Sequence, residues 1–163
     1  MKSKSILFIS LIVSVFISCQ PTTEEAKKYN DGIIEQQNLI NKKFSELINS
    51  YDAYIPEEMD IKYNEVLKQI NIAIDYTSNI QGFEDDAYFK EGAKTLFNSY
   101  KEVLENEQKS IIDLYKLPEN EYGEEQVKEV ERLRDQGNKK IDEIFGEMEL
   151  VQKKFAEKYH FKI

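Results

Sequence analysis

Tryptophan is absent from this chain, cysteine and histidine occur once each, and only three prolines stand among its 163 residues. One cysteine and one histidine cannot supply a zinc site of the usual Cys/His composition, a pair of Glu-x-x-His di-iron motifs, or a disulfide framework. Basic charge is scarce as well. Against 31 acids stand 22 lysines and arginines, a net charge of −9, so the footprint that phosphate-backbone binding requires is missing and no nucleic-acid partner is expected. Few glycines and prolines with 40% apolar residues fit one folded domain and argue against a disordered chain. Long apolar runs are wanting too: Ile6 to Ile17 is twelve residues, broken by Ser10 and Ser14, whereas a helix crossing a bilayer needs about twenty.

A short apolar run has another use. Lys2 and Lys4 precede it and Ser18 follows it, and a charged start, an apolar middle and a small residue before the cut make a secretory signal. Phe16-Ile17-Ser18-Cys19 resembles the lipobox of bacterial lipoproteins, whose cysteine is lipidated on sulfur and becomes the mature N-terminus. That resemblance implies a lipoprotein signal peptide over residues 1–18, palmitate-type acylation of Cys19, and a tether over 19–23 leading to a domain at 24–163. An ordinary signal peptide with a cysteine at its cleavage site is the alternative. Acyl chains contribute about 0.8 kcal/mol per buried CH₂, so several anchor stably where one is marginal. Processing removes two lysines and leaves a mature charge of −11, which opposes adhesion to an anionic lipid surface. The acyl chains are therefore expected to do the holding. Residues 20–23 reach at most about 14 Å, which keeps the domain close to the membrane. Glu24 and Glu25 faintly resemble surface-export signals of some diderm bacteria, although acids in a first helical turn have a sufficient structural reason.

Past the tether, four amphipathic patterns follow one another. Thr22-x-x-Glu25 reads as a capping box opening a helix to about Tyr51, striped by Ala26, Tyr29, Ile33, Ile40, Phe44, Leu47 and Tyr51. Pro56 with Glu57 and Glu58 starts a second, striped by Met59, Tyr63, Val66, Leu67, Ile70, Ala73, Ile74 and Thr77. Gly82 reads as its C′ residue and Asp85 as the N-cap of a third helix, striped by Phe89, Ala93, Leu96, Phe97, Tyr100, Val103, Leu104, Ile111 and Leu114. Pro118 and Gly123 bracket the last turn. The fourth stripe is Val127, Val130, Gly137, Ile141, Ile144, Phe145, Met148, Phe155 and Tyr159. No stretch alternates with period two, so a sheet is not expected. Short connections favour an all-α, antiparallel up-down-up-down four-helix bundle over a long coiled coil, whose heptads the drifting stripes and the prolines would interrupt.

Polar residues on these stripes are the candidate sites. Folding the chain about the turn between Asn120 and Glu121 sets Ile111 opposite Val130 and Glu107 opposite Arg134, which predicts a buried ion pair fixing helix register. Around the first turn Gln37 faces Ala73, a small residue that leaves room for a hydrogen-bonding layer or a small polar ligand. Tyr76 and Tyr88 point away from their stripes and flank Phe83 at the membrane-proximal end, where Tyr159 and Phe161 also arrive. This end is expected either to cap the core with rings or to offer an interaction patch. His160 reads as a solvated terminal residue. Lys139-Lys140 and Lys153-Lys154 read as helix faces in water. Glu84-Asp85-Asp86 is too short for an EF-hand loop, and no Walker, Gly-x-Ser-x-Gly or Gly-x-Gly-x-x-Gly motif occurs. Neither enzymatic activity, a metal nor a cofactor is expected.

Three segments, Tyr29-Asn30-Asp31-Gly32-Ile33-Ile34-Glu35-Gln36-Gln37, Leu96-Phe97-Asn98-Ser99-Tyr100-Lys101 and Phe155-Ala156-Glu157-Lys158-Tyr159-His160-Phe161, resemble a family of small helical bacterial surface lipoproteins of uncharacterised function. A glycine usually stands before the last aromatic in that family; here His160 does. The resemblance implies a lipid-anchored helical bundle, with no catalytic residues to carry over. The expected role is a structural or protein-interaction module of the cell envelope, placed at the outer membrane with surface exposure left open. A carrier holding a small molecule between helices is the alternative.

Overall fold

The computed structural model describes residues 22–83 and 87–163. Cys19 and the expected cap Asp85 lie outside the described residues. The architecture is an all-α four-helix bundle. Its rods are α1 (Thr23–Ser50), α2 (Pro56–Asn79), a third rod made of α3 (Tyr88–Val103), a π turn (Leu104–Gln108) and α4 (Lys109–Tyr115), and α5 (Glu124–Lys158). Successive rods pack as neighbours: α1 lies chiefly on α2, α2 on α3, and α3 on α5, while α1 meets α5 only sparingly.

The local signals at the helix ends act largely as their chemistry requires. The Glu25 amide donates to Thr22 Oγ1 at 3.2 Å and Glu25 Oε2 accepts from the Thr22 amide at 2.7 Å, closing the capping box. The backbone hydrogen bond from Thr22 holds the Glu25 carboxyl below the usual range. Tyr54 turns the chain out of α1 in the left-handed region, φ 50°, and Pro56 then occupies the first turn of α2, where its missing N–H costs nothing. Gly82 does not serve as the C′ residue of α2. The helix stops at Asn79, Ile80 is extended, and no glycine among the described residues has positive φ. Instead Lys90 Nζ donates to Ile80 O at 2.7 Å, bringing a cation from α3 to the negative end of α2.

The first two stripes are buried as expected, from Ala26 to Tyr51 and from Met59 to Thr77, with Phe44, Tyr63, Leu67 and Ile74 at their margins. The later stripes depart from the periodic reading, because the third rod is not one α-helix. Its buried residues repeat at intervals of four: Tyr100, Leu104, Gln108, Ile112 on one line and Val103, Glu107, Ile111 on the other. An α-helix drifts by about 40° over every four residues, so such a repeat would wind off the core. The wider π turn at Leu104–Gln108 absorbs the drift and keeps both lines inward. On α5, Leu133 is buried while Val127 and Phe145 are exposed.

Candidate functional site

At the end where α1 begins and α5 finishes, the core closes in rings. Phe155 stands at the centre, stacked on Phe89 at 4.8 Å and touching Tyr29, Phe83, Tyr159 and Phe161 within 6 Å. Phe83, from the α2–α3 connection, packs edge-on against Tyr159 at 4.9 Å. Of the three residues read as an interaction patch, two are therefore drawn into packing. Phe83 belongs to this cap, and Tyr76 lies across α1 at Gly32, where a Cβ would collide with the Tyr76 hydroxyl. Only Tyr88 stays outside, 80% exposed, at the mouth of a groove of about 280 Å³ lined by Val151, Lys154, Phe155 and Lys158.

His160 is exposed, as expected, but its backbone is fixed in a defined turn. Its φ of 59° is left-handed, its amide donates to Glu157 O at 3.3 Å, and the Phe161 amide donates to Ala156 O at 3.0 Å. These are the two hydrogen bonds of a Schellman motif, with His160 at C′ and the accompanying ring contact from Phe161 to Phe155. The motif turns the chain so that Ile163 lies at the seam between α5 and α1.

That thinly packed seam holds a cleft of about 490 Å³, open to solvent. Ile34, Met148, Phe145 and Ile163 supply its apolar surface, Gln37, Asn38, Gln152, Glu149 and Lys153 its polar one. One hydrogen bond crosses it, from Gln152 Nε2 to Asn30 Oδ1 at 2.8 Å. Gln37 is only 6% exposed. The layer predicted at Gln37 and Ala73 is thus split: Gln37 turns to the α1–α5 cleft, Ala73 is fully buried, and Gln69 Nε2 on α2 donates a hydrogen bond to Gln36 Oε1 on α1 at 3.2 Å.

The expected Glu107–Arg134 pair does not form. Glu107 is buried, as its place on the stripe implies, but its Oε1 accepts from Lys140 Nζ at 2.8 Å, one and a half turns further along α5. Arg134 is exposed and donates to Tyr115 Oη at 2.9 Å. Arg134 falls on the exposed face of α5, whereas Gly137 and Lys140, three and six residues further along, lie beside Glu107; the π turn, which adds about one residue to the third rod, supplies only part of that offset. Gly137 lets α5 approach here: a Cβ on it would stand 3.2 Å from Val103 and 3.6 Å from the Glu107 Cβ. Lys140 also reaches Glu102 Oε1 at 3.0 Å, and these two carboxylates, Glu107 first, raise its ammonium above the ordinary lysine range. Lys140 was thus misread as a solvated face residue. Beside Glu107, Gln108 Oε1 accepts from the buried Tyr51 hydroxyl at 2.7 Å.

Among the described residues no helix is long and apolar enough to cross a membrane, and no group of acidic, histidine or cysteine side chains could hold a metal ion. Comparison with family models, with curated proteins and with solved structures finds no match to the chain.

Proposed function

We propose that this chain is a lipid-anchored lipoprotein of the bacterial cell envelope, held at the outer membrane through Cys19, whose bundle is a protein-interaction module. The reading assigns it no chemistry and no cofactor. The observation that carries the interaction role is the α1–α5 seam: three edges of the bundle are closed by packing, and the fourth is left open over an apolar floor with a polar rim. Two antiparallel rods with such a groove between them suit a partner helix laid apolar face down. The lipobox-like run Phe16–Cys19 motivates the anchor, and the bundle end that carries Thr22 would then face the membrane.

Cys19→Ser should move the protein out of the membrane fraction; retention there through high salt would reject lipidation as the sole attachment. For the interaction role, a photocrosslinker replacing Asn38 or Phe145 in intact envelopes should yield a discrete adduct, while one at Tyr54 on the opposite end should not. Equal labelling from both ends would reject the seam as the interface. The carrier alternative draws on the same cleft, since Gln37 is nearly buried and its side chain has no protein hydrogen bond among the described residues. Mass spectrometry of the natively purified protein distinguishes the two: a co-purifying small molecule supports a carrier, a covalent protein adduct the module.

A further inference from the structure

Beside their core stripes, both helices at the open seam carry a second line of residues spaced by fours and threes. On α1 it is Ile34, Asn38, Asn41, Ser45 and Ile48; on α5 it is Val127, Glu131, Arg134, Asn138, Asp142 and Phe145. Such spacing sets each line along one side of its helix, the side on which Ile34, Asn38 and Phe145 line the cleft. Ile48, Val127 and Phe145 are 41 to 46% exposed. A repeat of fours and threes is what one helix presents to another across a coiled-coil seam, yet α1 and α5 meet too sparingly to cover it. From Ile34 to Ile48 the line runs about 21 Å, four turns of helix.

Two polar features narrow what can lie there. Gln37 is 6% exposed, faces the cleft, and its amide makes no hydrogen bond within the described residues. A buried amide left unpaired is costly. The backbone of a helix cannot satisfy it, because its interior N–H and C=O groups already bond one another; a side chain must. Charge supplies the second constraint. The α1 line carries none. On α5, Glu131 and Asp142 have no ion-pair partner, Glu149 is neutralised by Lys153 at 2.8 Å, and Arg134 turns to the Tyr115 hydroxyl.

We infer that the seam receives one amphipathic helix of about four turns from another protein. Its apolar stripe is interrupted by a single amide or hydroxyl side chain that bonds Gln37, and its lysines or arginines lie on the edge over α5. This names the partner chemistry of the interaction module and rests on that reading. A lone polar residue in an apolar stripe fixes register, since a slip leaves both polar groups unpaired. The one-sided carboxylates steer the approach and choose the edge that meets α5.

The test uses the full chain in its own envelopes, with a photocrosslinker in place of Asn38. Mass spectrometry of the adduct should read a partner peptide with apolar residues at intervals of three and four, one Asn, Gln, Ser or Thr among them, and basic residues along one edge. Glu131→Lys with Asp142→Lys should cut the adduct yield about tenfold. Asp75→Lys with Glu91→Lys, the same charge change at exposed positions of α2 and α3, should leave the yield unchanged. Gln37→Met keeps the length of the side chain and removes the amide. It should weaken the adduct about tenfold without lowering the thermal midpoint of the purified protein; a Gln37 that serves the fold alone would lower the midpoint and spare the adduct. An adduct indifferent to both sets of substitutions, a partner peptide with acids on both edges or no apolar stripe, or an adduct of the chain with its own copy would overturn the inference and leave the seam as an interface. No protein adduct from either Asn38 or Phe145 would reject the interaction reading itself, and this inference with it.

Discussion

The two ends of the bundle are both rich in aromatic residues and are held by different forces. Near the start of α1 the rings are mainly phenylalanines packed on one another, and Phe155 alone touches five neighbours. At the other end the rings are tyrosines: Tyr115 contacts Tyr51, Tyr54 and Tyr122, with hydroxyl bonds to Gln108 and Arg134 nearby and the Glu107–Lys140 pair one turn away. Ring packing is strong but indifferent to pH and salt. A hydroxyl and ion-pair network specifies register, because each group is costly when its partner is missing. The end where α1 begins is thus built as a plug, and the opposite end as a register lock around the π turn.

The largest effect should come from breaking the plug. Phe155→Ala removes a fully buried ring and should cost about 3–5 kcal/mol in urea unfolding; a loss below about 1 kcal/mol would mean that the end is soft and the contrast false. Next comes alkaline pH, which should discriminate between the ends. Burial pushes the Tyr100 phenol from 10.0 up to about 12 and the Tyr51 phenol higher still. The folded state holds these protons where the unfolded chain releases them. Stability is therefore full below about pH 10 and falls as pH rises toward 12, by on the order of 2–3 kcal/mol for Tyr100 alone. Tyr51→Phe and Tyr100→Phe should each flatten that decline. If Tyr51→Phe does not, the tyrosine end is not the titrating one.

The register lock is tested by a smaller, paired measurement. Lys140→Ala leaves the Glu107 carboxylate buried without its cation and should cost about 2 kcal/mol, below the 3–5 of a fully buried pair because Lys140 is itself 36% exposed. Arg134→Ala should cost under about 0.5 kcal/mol. A double-mutant cycle should couple Glu107 with Lys140 and find Glu107 and Arg134 additive. The reverse pattern would reject the Glu107–Lys140 pair and restore Arg134 as the partner of Glu107.

These ends also differ in how far they could be read from the residues. Helix number, order and the first two core faces follow from period and punctuation, because Thr22, Pro56 and the apolar stripes of α1 and α2 act locally. The ring cap was one of two stated readings, since Phe83, Tyr159 and Phe161 converge by topology alone. The ion pair was half legible. Glu107 on an apolar stripe signalled a buried carboxylate, but its partner depended on which face of α5 closes on it, set by the approach at Gly137. The signal for the π turn was present in the four-residue repeat 100–104–108–112, which a 3.6-residue template passes over. The α1–α5 seam was not legible, because a helix face reveals how apolar it is and not how closely its neighbour approaches.

One residue sharpens the comparison at the plug's own rim. His160 occupies the left-handed C′ position of a Schellman motif, where a side chain with a Cβ is disfavoured by about 1–2 kcal/mol and glycine is not. His160→Gly should therefore stabilise the protein, by about 1 kcal/mol once the greater freedom of glycine in the unfolded chain is subtracted. His160→Ala keeps the Cβ and should not stabilise. If instead both substitutions destabilise equally, the imidazole itself makes a contact that holds the final turn. The motif's backbone geometry would then be secondary to it.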